Sequence, residues 1–379
     1  MTAPLAGIRV LDLAGASGAL AGKLLAGLGA DVVLAEPSTG SPLRTLPPFW
    51  EGAPERERSL FFWFYAAGKR SVVADDPARL GRLADAADVV IDTGPPGHGP
   101  AYRRGRERLI VAAITPFGQT GPRAGWHASN LVAEAIGGMS GVNGHPDGPP
   151  LAALGLQAYH QAGVQAAIGI VAALIARETS GRGQLVDVAL QAAVAGALEH
   201  VPGLFHQAGV VPGRQGTLHW TRYFRLGRCR DGWVMHCTLG DWTSLLEWVK
   251  ADGAGDDIDD PALEDAAQRK DQAERVFHAL DAWAARYTVA ELHEGAQLRR
   301  IPYAAVRAPE ALLTDEQLAA RGFFVPLEHP GLAPGASMTL PYPGAPFRIG
   351  AEPWQVARPP GLDEHGDAVR SEWPAPGGR

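Results

Sequence analysis

A chain of 379 residues with 46% hydrophobic content is longer than one average domain and can bury a substantial core without disulfide or metal staples. Its formal charge of -7 and pI near 5.9 argue against a nucleic-acid partner, which would call for a clustered basic surface. No apolar run reaches about 18 residues without a polar, Gly or Pro interruption, so no membrane partner is expected, and a start almost directly in a strand suggests a cytoplasmic location.

In chain order, Ile8 to Leu13 is a short apolar run, Gly18 to Leu28 reads as helix, and Val32 to Ala35 is a second run ending at Glu36. That is a βαβ unit. Strands follow at 71–74, 89–92 and 109–114 with helices between them, which predicts an α/β fold with a mostly parallel sheet. From Asn130 the pattern turns helical and rich in small residues, with a long helix over 158–178, a strand at 184–188 and a helix to His200. A Rossmann-like large domain over 1–200 is expected, followed by a Gly- and Pro-rich linker at 201–222. Residues 223–238 read as a hairpin turned at Asp231-Gly232, opening a smaller α+β domain over 223–325. The Pro-rich stretch 326–379 reads as a tail returning to the large domain. Cys229 and Cys237 fall on the one hairpin and read as reduced and structural.

The opening invites a nucleotide reading: Gly15, Gly18 and Gly22 lie between two strands, with an acidic residue about twenty positions on, and a helix N-terminus there would hold a phosphate. The glycine spacing of three and four is not the two and three of the dinucleotide fingerprint. A Rossmann oxidoreductase is therefore a weaker alternative to glycines that merely let helix and strand approach. Zinc, hydrolase-elbow and Walker patterns are absent, and no metal is expected.

Eight segments in order resemble the class III CoA-transferases, the family of formyl-CoA transferase, carnitine CoA-transferase and alpha-methylacyl-CoA racemase. They are PLAGIRVLDL (4–13), LLAGLGADVVLAEP (24–37), GKRSV (68–72), PFGQTGP (116–122), AIGGMSGVNGHPDGPP (135–150), RETSGRGQLVDVAL (177–190), RDGWV (230–234) and ARGFFVPLEHPGL (320–332). The resemblance implies coenzyme A or an acyl-CoA as substrate, an organic acid as partner, and an interlocked homodimer. It places Ala16 and Ser17 near the thioester, Phe117, Gly118 and Gln119 along the site, and Arg44, Lys69 and Arg70 near the nucleotide; a solvated surface pair is the bland alternative for Lys69 and Arg70.

The family's nucleophilic aspartate stands four residues before a glycine in a D-x-x-A-G pattern, which here falls on Tyr159-His160-Gln161-Ala162-Gly163. A phenol is a poor nucleophile at neutral pH and cannot form the acyl anhydride of that route. The racemase pair is absent as well, with Ser129 near the position of its His, and Asp92-Thr93-Gly94-Pro95-Pro96-Gly97 replaces a family E-N-F-x-P-G segment. The titratable groups left near the site are His127, Tyr159 and His160, with Glu134 and Asp147 more remote. They suggest a diverged acyl-CoA enzyme, an isomerase, dehydratase, lyase or thioester transferase using acid/base chemistry. The alternative is a non-catalytic relative that binds CoA or a protein partner. The bland readings are that His160, Val164, Ile168, Val171 and Ile175 form a core stripe at helical spacing, that His127 is a surface residue and that Glu134 is solvated.

Overall fold

The computed structural model describes residues 3–330, 337–349 and 354–373. They form two compact units, the first within Met1–Met139, Ala152–Glu199 and Glu316–Arg379, the second spanning Ser140–Leu151 and His200–Asp315.

The first unit is built on a parallel sheet of six strands, β1 (Arg9–Leu13), β2 (Asp31–Glu36), β3 (Arg70–Val73), β4 (Val89–Asp92), β5 (Ile110–Thr115) and β6 (Leu185–Ala189), in the order β3-β2-β1-β4-β5-β6. Its helices include α1 (Ala19–Gly27), α2 (Leu60–Ala66), α3 (Pro77–Ala86), α4 (Asn130–Ile136), the long α5 (Gln157–Ser180) and, near the C-terminus, α6 (Gly366–Glu372). Their starts are written locally: Ser59 accepts from the Phe62 N–H, Asp76 accepts from that of Ala78 ahead of a helix opening on Pro77, and Ser129 accepts from that of Val132.

Alternation along the strands supplies two cores. Val10, Val32, Ile91 and Ile114 point to one face, covered by Leu25 of α1 and by Ala162, Ala166 and Ile170 of α5. Leu11, Val33, Val72, Val90 and Val111 point to the other, against Leu83 of α3 and Val369 and Trp373 at α6. Burial on both faces explains why these strands read as continuous apolar runs.

The long helix differs from its sequence reading. Of the residues weighed as a core stripe, His160 and Val171 are partly buried, Val171 against the core, whereas Val164, Ile168 and Ile175 are 39, 58 and 68% accessible. Apart from Arg177 near its C-terminus, the buried side consists of Ala158, Ala162, Gly163, Ala166, Ala167, Ile170, Ala173 and Leu174. Small residues face inward because α5 lies tightly against α1, where a Cβ on Gly163 would stand 2.9 Å from Leu20 Cβ. By length and composition alone α5 could cross a bilayer, but this small-residue face is core.

In the C-terminal stretch, Phe324–Pro330 and Ser337–Pro343 pair antiparallel. Beyond them the chain runs onto the sheet edge, where the Val73 N–H donates to Asp363 Oδ1 at 2.7 Å and the His365 N–H to the Ser71 carbonyl at 3.1 Å.

The second unit is α+β. Strands Phe224–Arg228, Trp233–Cys237 and Ala304–Ala305 form an antiparallel sheet, and helices Trp242–Ala251, Ala273–Ala284 and Val289–Leu298 pack with it around Phe277, Trp283 and Tyr303. The stretch expected as a linker carries the helix His200–Ala208 and belongs to this unit. Cys229 and Cys237 are buried and unbonded, and burial pushes both thiols up, that of Cys229 to about 11.

Candidate functional site

The order of strands reverses between β1 and β4, and in an open parallel sheet ligands bind beyond the carboxyl ends of the strands at such a point. Here two turns meet. The Gly15 N–H donates to Thr93 Oγ1 at 2.8 Å, joining the turn that holds Ala16 and Ser17 to the Asp92-Thr93-Gly94 turn after β4. Both Ala16 and Ser17 are partly accessible, at the entrance to α1.

Gly118 and Gln119 extend this rim after β5. Gly118 has φ of +89°, and its N–H donates to Thr115 Oγ1. The Gln119 N–H donates to Asp187, while its Oε1 accepts from the Gly97 N–H at 2.8 Å. The loops after β4 and β5 are thereby tied to each other and to β6. Beside them His98 Nδ1 lies 2.8 Å from Asp92 Oδ1, a contact that places a half-exposed imidazole against a buried carboxylate.

The three basic residues expected near a nucleotide have other partners. Arg44 is fully buried; its Nε and Nη2 reach both oxygens of Glu36 at 2.7 and 2.9 Å, Nη1 reaches Glu57 at 2.7 Å, and its guanidinium lies 3.8 Å over Phe62. Lys69 is buried too, with Nζ 2.7 Å from Asp12 Oδ2 and 3.0 Å from the Ala19 carbonyl, so it is neither a free cation nor a solvated surface residue. Arg70 is half-buried and pairs through Nη1 with Asp31 and Glu372.

At the start of α5 the helix has no side-chain cap of its own. Asn130 of α4 supplies one, its Oδ1 accepting the Tyr159 N–H at 3.2 Å while its Nδ2 donates to Glu134 Oε1 at 2.8 Å. Glu134, read from the sequence as solvated, is completely buried, and its second oxygen accepts from the Ala153 N–H. Its position on the α4 face turned toward α5, with a polar neighbour one turn away, makes burial affordable. Burial raises the Tyr159 phenol above its usual value, partly offset by contact with the Asn130 backbone, which makes it a still weaker nucleophile at neutral pH.

His160 does have a partner. Its Nε2 lies 2.5 Å from the Tyr65 hydroxyl of α2. Burial, then the nearby Lys23, lowers the imidazole, and burial raises the Tyr65 phenol to about 12. Lys23 of α1 completes the group: Nζ is 3.2 Å from the Phe64 ring centroid, is shielded from solvent without a hydrogen-bond partner, and is brought down to about 7 by burial and then by Lys69. Sequence reading missed both Lys23 and Tyr65. Lys23 is the one charged residue of ALAGKLLAG, a signal that could have been noticed; Tyr65 is 95 positions from His160, and nothing local announces the contact.

His127 is exposed in the loop after Trp126 and takes no part in the Tyr65–His160 contact; Asp147 belongs to the second unit. Among the described residues no group of three or more His, Cys, Asp or Glu could hold a metal ion.

A six-stranded parallel sheet in this order, with its rim of turns at the switch point, defines a Rossmann-type α/β protein. The match to CoA-transferase family III runs over residues 5–366, and the chain belongs to that family. It is 32% identical to the succinyl-CoA:(R)-benzylsuccinate CoA-transferase subunit BbsE of Thauera aromatica, over 94% of this chain and 91% of that protein. It is 30% identical to the formyl-CoA:oxalate CoA-transferase of Streptomyces avermitilis, over 97% and 95% respectively. Among solved structures, a CAIB/BAIF family protein from Brucella suis is similar with a TM-score of 0.86 and 26% identity, covering 98% of this chain and all of that one.

Proposed function

We propose that this chain acts on a CoA thioester of a small organic acid as the subunit of a CoA-transferase that lacks its own nucleophile, a related chain supplying the aspartate. The observation that carries this reading is Tyr159 at the start of α5, where the D-x-x-A-G pattern of the resemblance calls for a carboxylate and burial has made the phenol less acidic still. Two further observations support it. The BbsE relative is itself named as a subunit of a CoA-transferase. Val164, Ile168 and Ile175 of α5 are uncovered, as are Leu131 and Val132 of α4, which packs against it, and exposed apolar residues on neighbouring helices fit a partner chain.

A second reading is favoured by the Tyr65–His160 contact. In it the chain forms a homodimer and uses His160 and Tyr159, with His127, for acid/base chemistry on an acyl thioester.

The test is transfer from succinyl-CoA to a panel of organic acids, with the chain alone and co-purified with a family member that carries the D-x-x-A-G aspartate, alongside native mass spectrometry. Activity only in the mixture, retained by a Tyr159→Phe variant, supports the first reading. Activity of the chain alone, abolished by both Tyr159→Phe and His160→Ala, would replace it with the second. Failure of both preparations to bind any CoA ester would remove both.

A further inference from the structure

With Arg44 and Lys69 closed off by buried ion pairs, cations still able to receive an anion must lie elsewhere in the first unit. Between α3 and α6, above the outer edge of β3, is a cleft of about 460 Å³ lined by Arg79, Arg82, Arg370, Val72 and Trp373, with Leu83 and Val369 as its apolar wall. Arg79 and Arg82 have no ion pair among the described residues, and Arg79 Nη2 is shielded from solvent without a hydrogen-bond partner. Arg70 lies two residues before Val72 and so on the same face of β3; its Nε and Nη2 are likewise shielded and unpartnered. The acidic groups of α6 are already engaged, Asp367 with Arg370 and Glu372 with Arg70. Among the described residues no carboxylate lines the cleft itself.

A shielded guanidinium donor without a partner, as at Arg79 Nη2, is costly, and in a chain of net charge -7 the exposed guanidinium groups of Arg82 and Arg370 line the same cleft beside it. Guanidinium forks match the oxygens of phosphate groups, and the volume far exceeds a single phosphate but suits a nucleotide-sized ligand. We infer that the α3–α6 cleft is a binding site for a phosphoanhydride of nucleotide size, its phosphates held by Arg79, Arg82 and Arg370. Two sources share this chemistry, the nucleotide end of CoA and a free nucleoside diphosphate. The inference does not depend on the proposed transferase role, because free nucleotides probe it directly.

Calorimetric titration of the full chain with ADP, pyrophosphate and CoA, with pantetheine as the phosphate-free comparison, tests it. ADP and pyrophosphate are expected to bind and pantetheine is not expected to displace them. An Arg82→Ala/Arg370→Ala variant, which changes two exposed side chains and leaves the fold's buried pairs intact, should weaken ADP at least tenfold with an unchanged circular dichroism spectrum. Competition between CoA and ADP would identify the CoA nucleotide end as the occupant, and its absence a free nucleotide. Absence of ADP and pyrophosphate binding at millimolar concentration, or binding that the double variant leaves unaltered, would overturn the site. Loss of acyl transfer with ADP binding preserved would count against the transferase role alone.

Discussion

The hydroxyl of Tyr65 and Nε2 of His160 stand 2.5 Å apart, joining α2 to the first turn of α5. The phenol, raised to about 12, stays protonated at neutral pH, and the imidazole, lowered by burial and by Lys23, stays neutral, so the O–H donates to Nε2 and the ring proton resides on Nδ1. A donor to the neutral form holds the histidine low. Tyr65→Phe should therefore raise the His160 pKa and cost about 1 kcal/mol of stability. Imidazole nitrogen shifts followed by NMR across pH 5 to 8 would show it; a fall instead would mean that the phenol accepts the bond.

Lys23 should make stability depend on alkaline pH. Its folded value of about 7 lies below the ordinary 10.5, so between these limits the unfolded chain binds more protons than the native one. Stability rises as pH increases from about 7 toward 10.5, and falls again as pH is lowered through that window. Lys23→Met removes this slope, stabilises the protein at pH 7 by about 1–3 kcal/mol, and raises the His160 pKa by deleting the neighbouring positive charge. Urea midpoints at pH 7.5 and 9.5 for both proteins make the comparison.

Arg44→Met leaves Glu36 buried beside the Ser41 N–H and the Ser71 hydroxyl with no cation. A loss of about 3–5 kcal/mol is expected, since removing one partner of a buried pair strands the other. Chemical denaturation measures it. A residue acting only at a ligand would leave the midpoint of the empty protein where it was.

The α1–α5 contact should be intolerant of a methyl group. A Cβ at Gly163 meets Leu20 Cβ at 2.9 Å and the Ala21 nitrogen at 3.3 Å, so Gly163→Ala should cost about 1–3 kcal/mol. Gly196→Ala, in the helix Leu190–Gly196 with nothing within 4 Å of the new carbon, should be neutral or slightly stabilising. Melting temperatures of the two variants give opposite signs if the close approach is real.

The architecture was legible because period-2 and helical patterns are properties of consecutive residues: the βαβ start, the six parallel strands and the 223–238 hairpin all fall where the pattern puts them. The family was legible for a related reason, since eight ordered segments survive in the chain and the match spans residues 5–366. What each charged or apolar side chain faces was not. Val164, Ile168 and Ile175 have the spacing of a core stripe, yet α5 turns them outward, because α1 approaches so closely at Gly163 that the inner face is made mostly of small residues, with Ile170 and Leu174 the larger ones. Glu134 reads as a surface acid until Asn130 and the Ala153 N–H surround it, and Arg44 and Lys69 read as ligand cations until Glu36 and Asp12 arrive from neighbouring strands. Sequence fixes period and order through local bonding, whereas burial, ion pairing and the contact of Tyr65 with His160 depend on groups brought together from distant positions, and only the packed fold decides which of them meet.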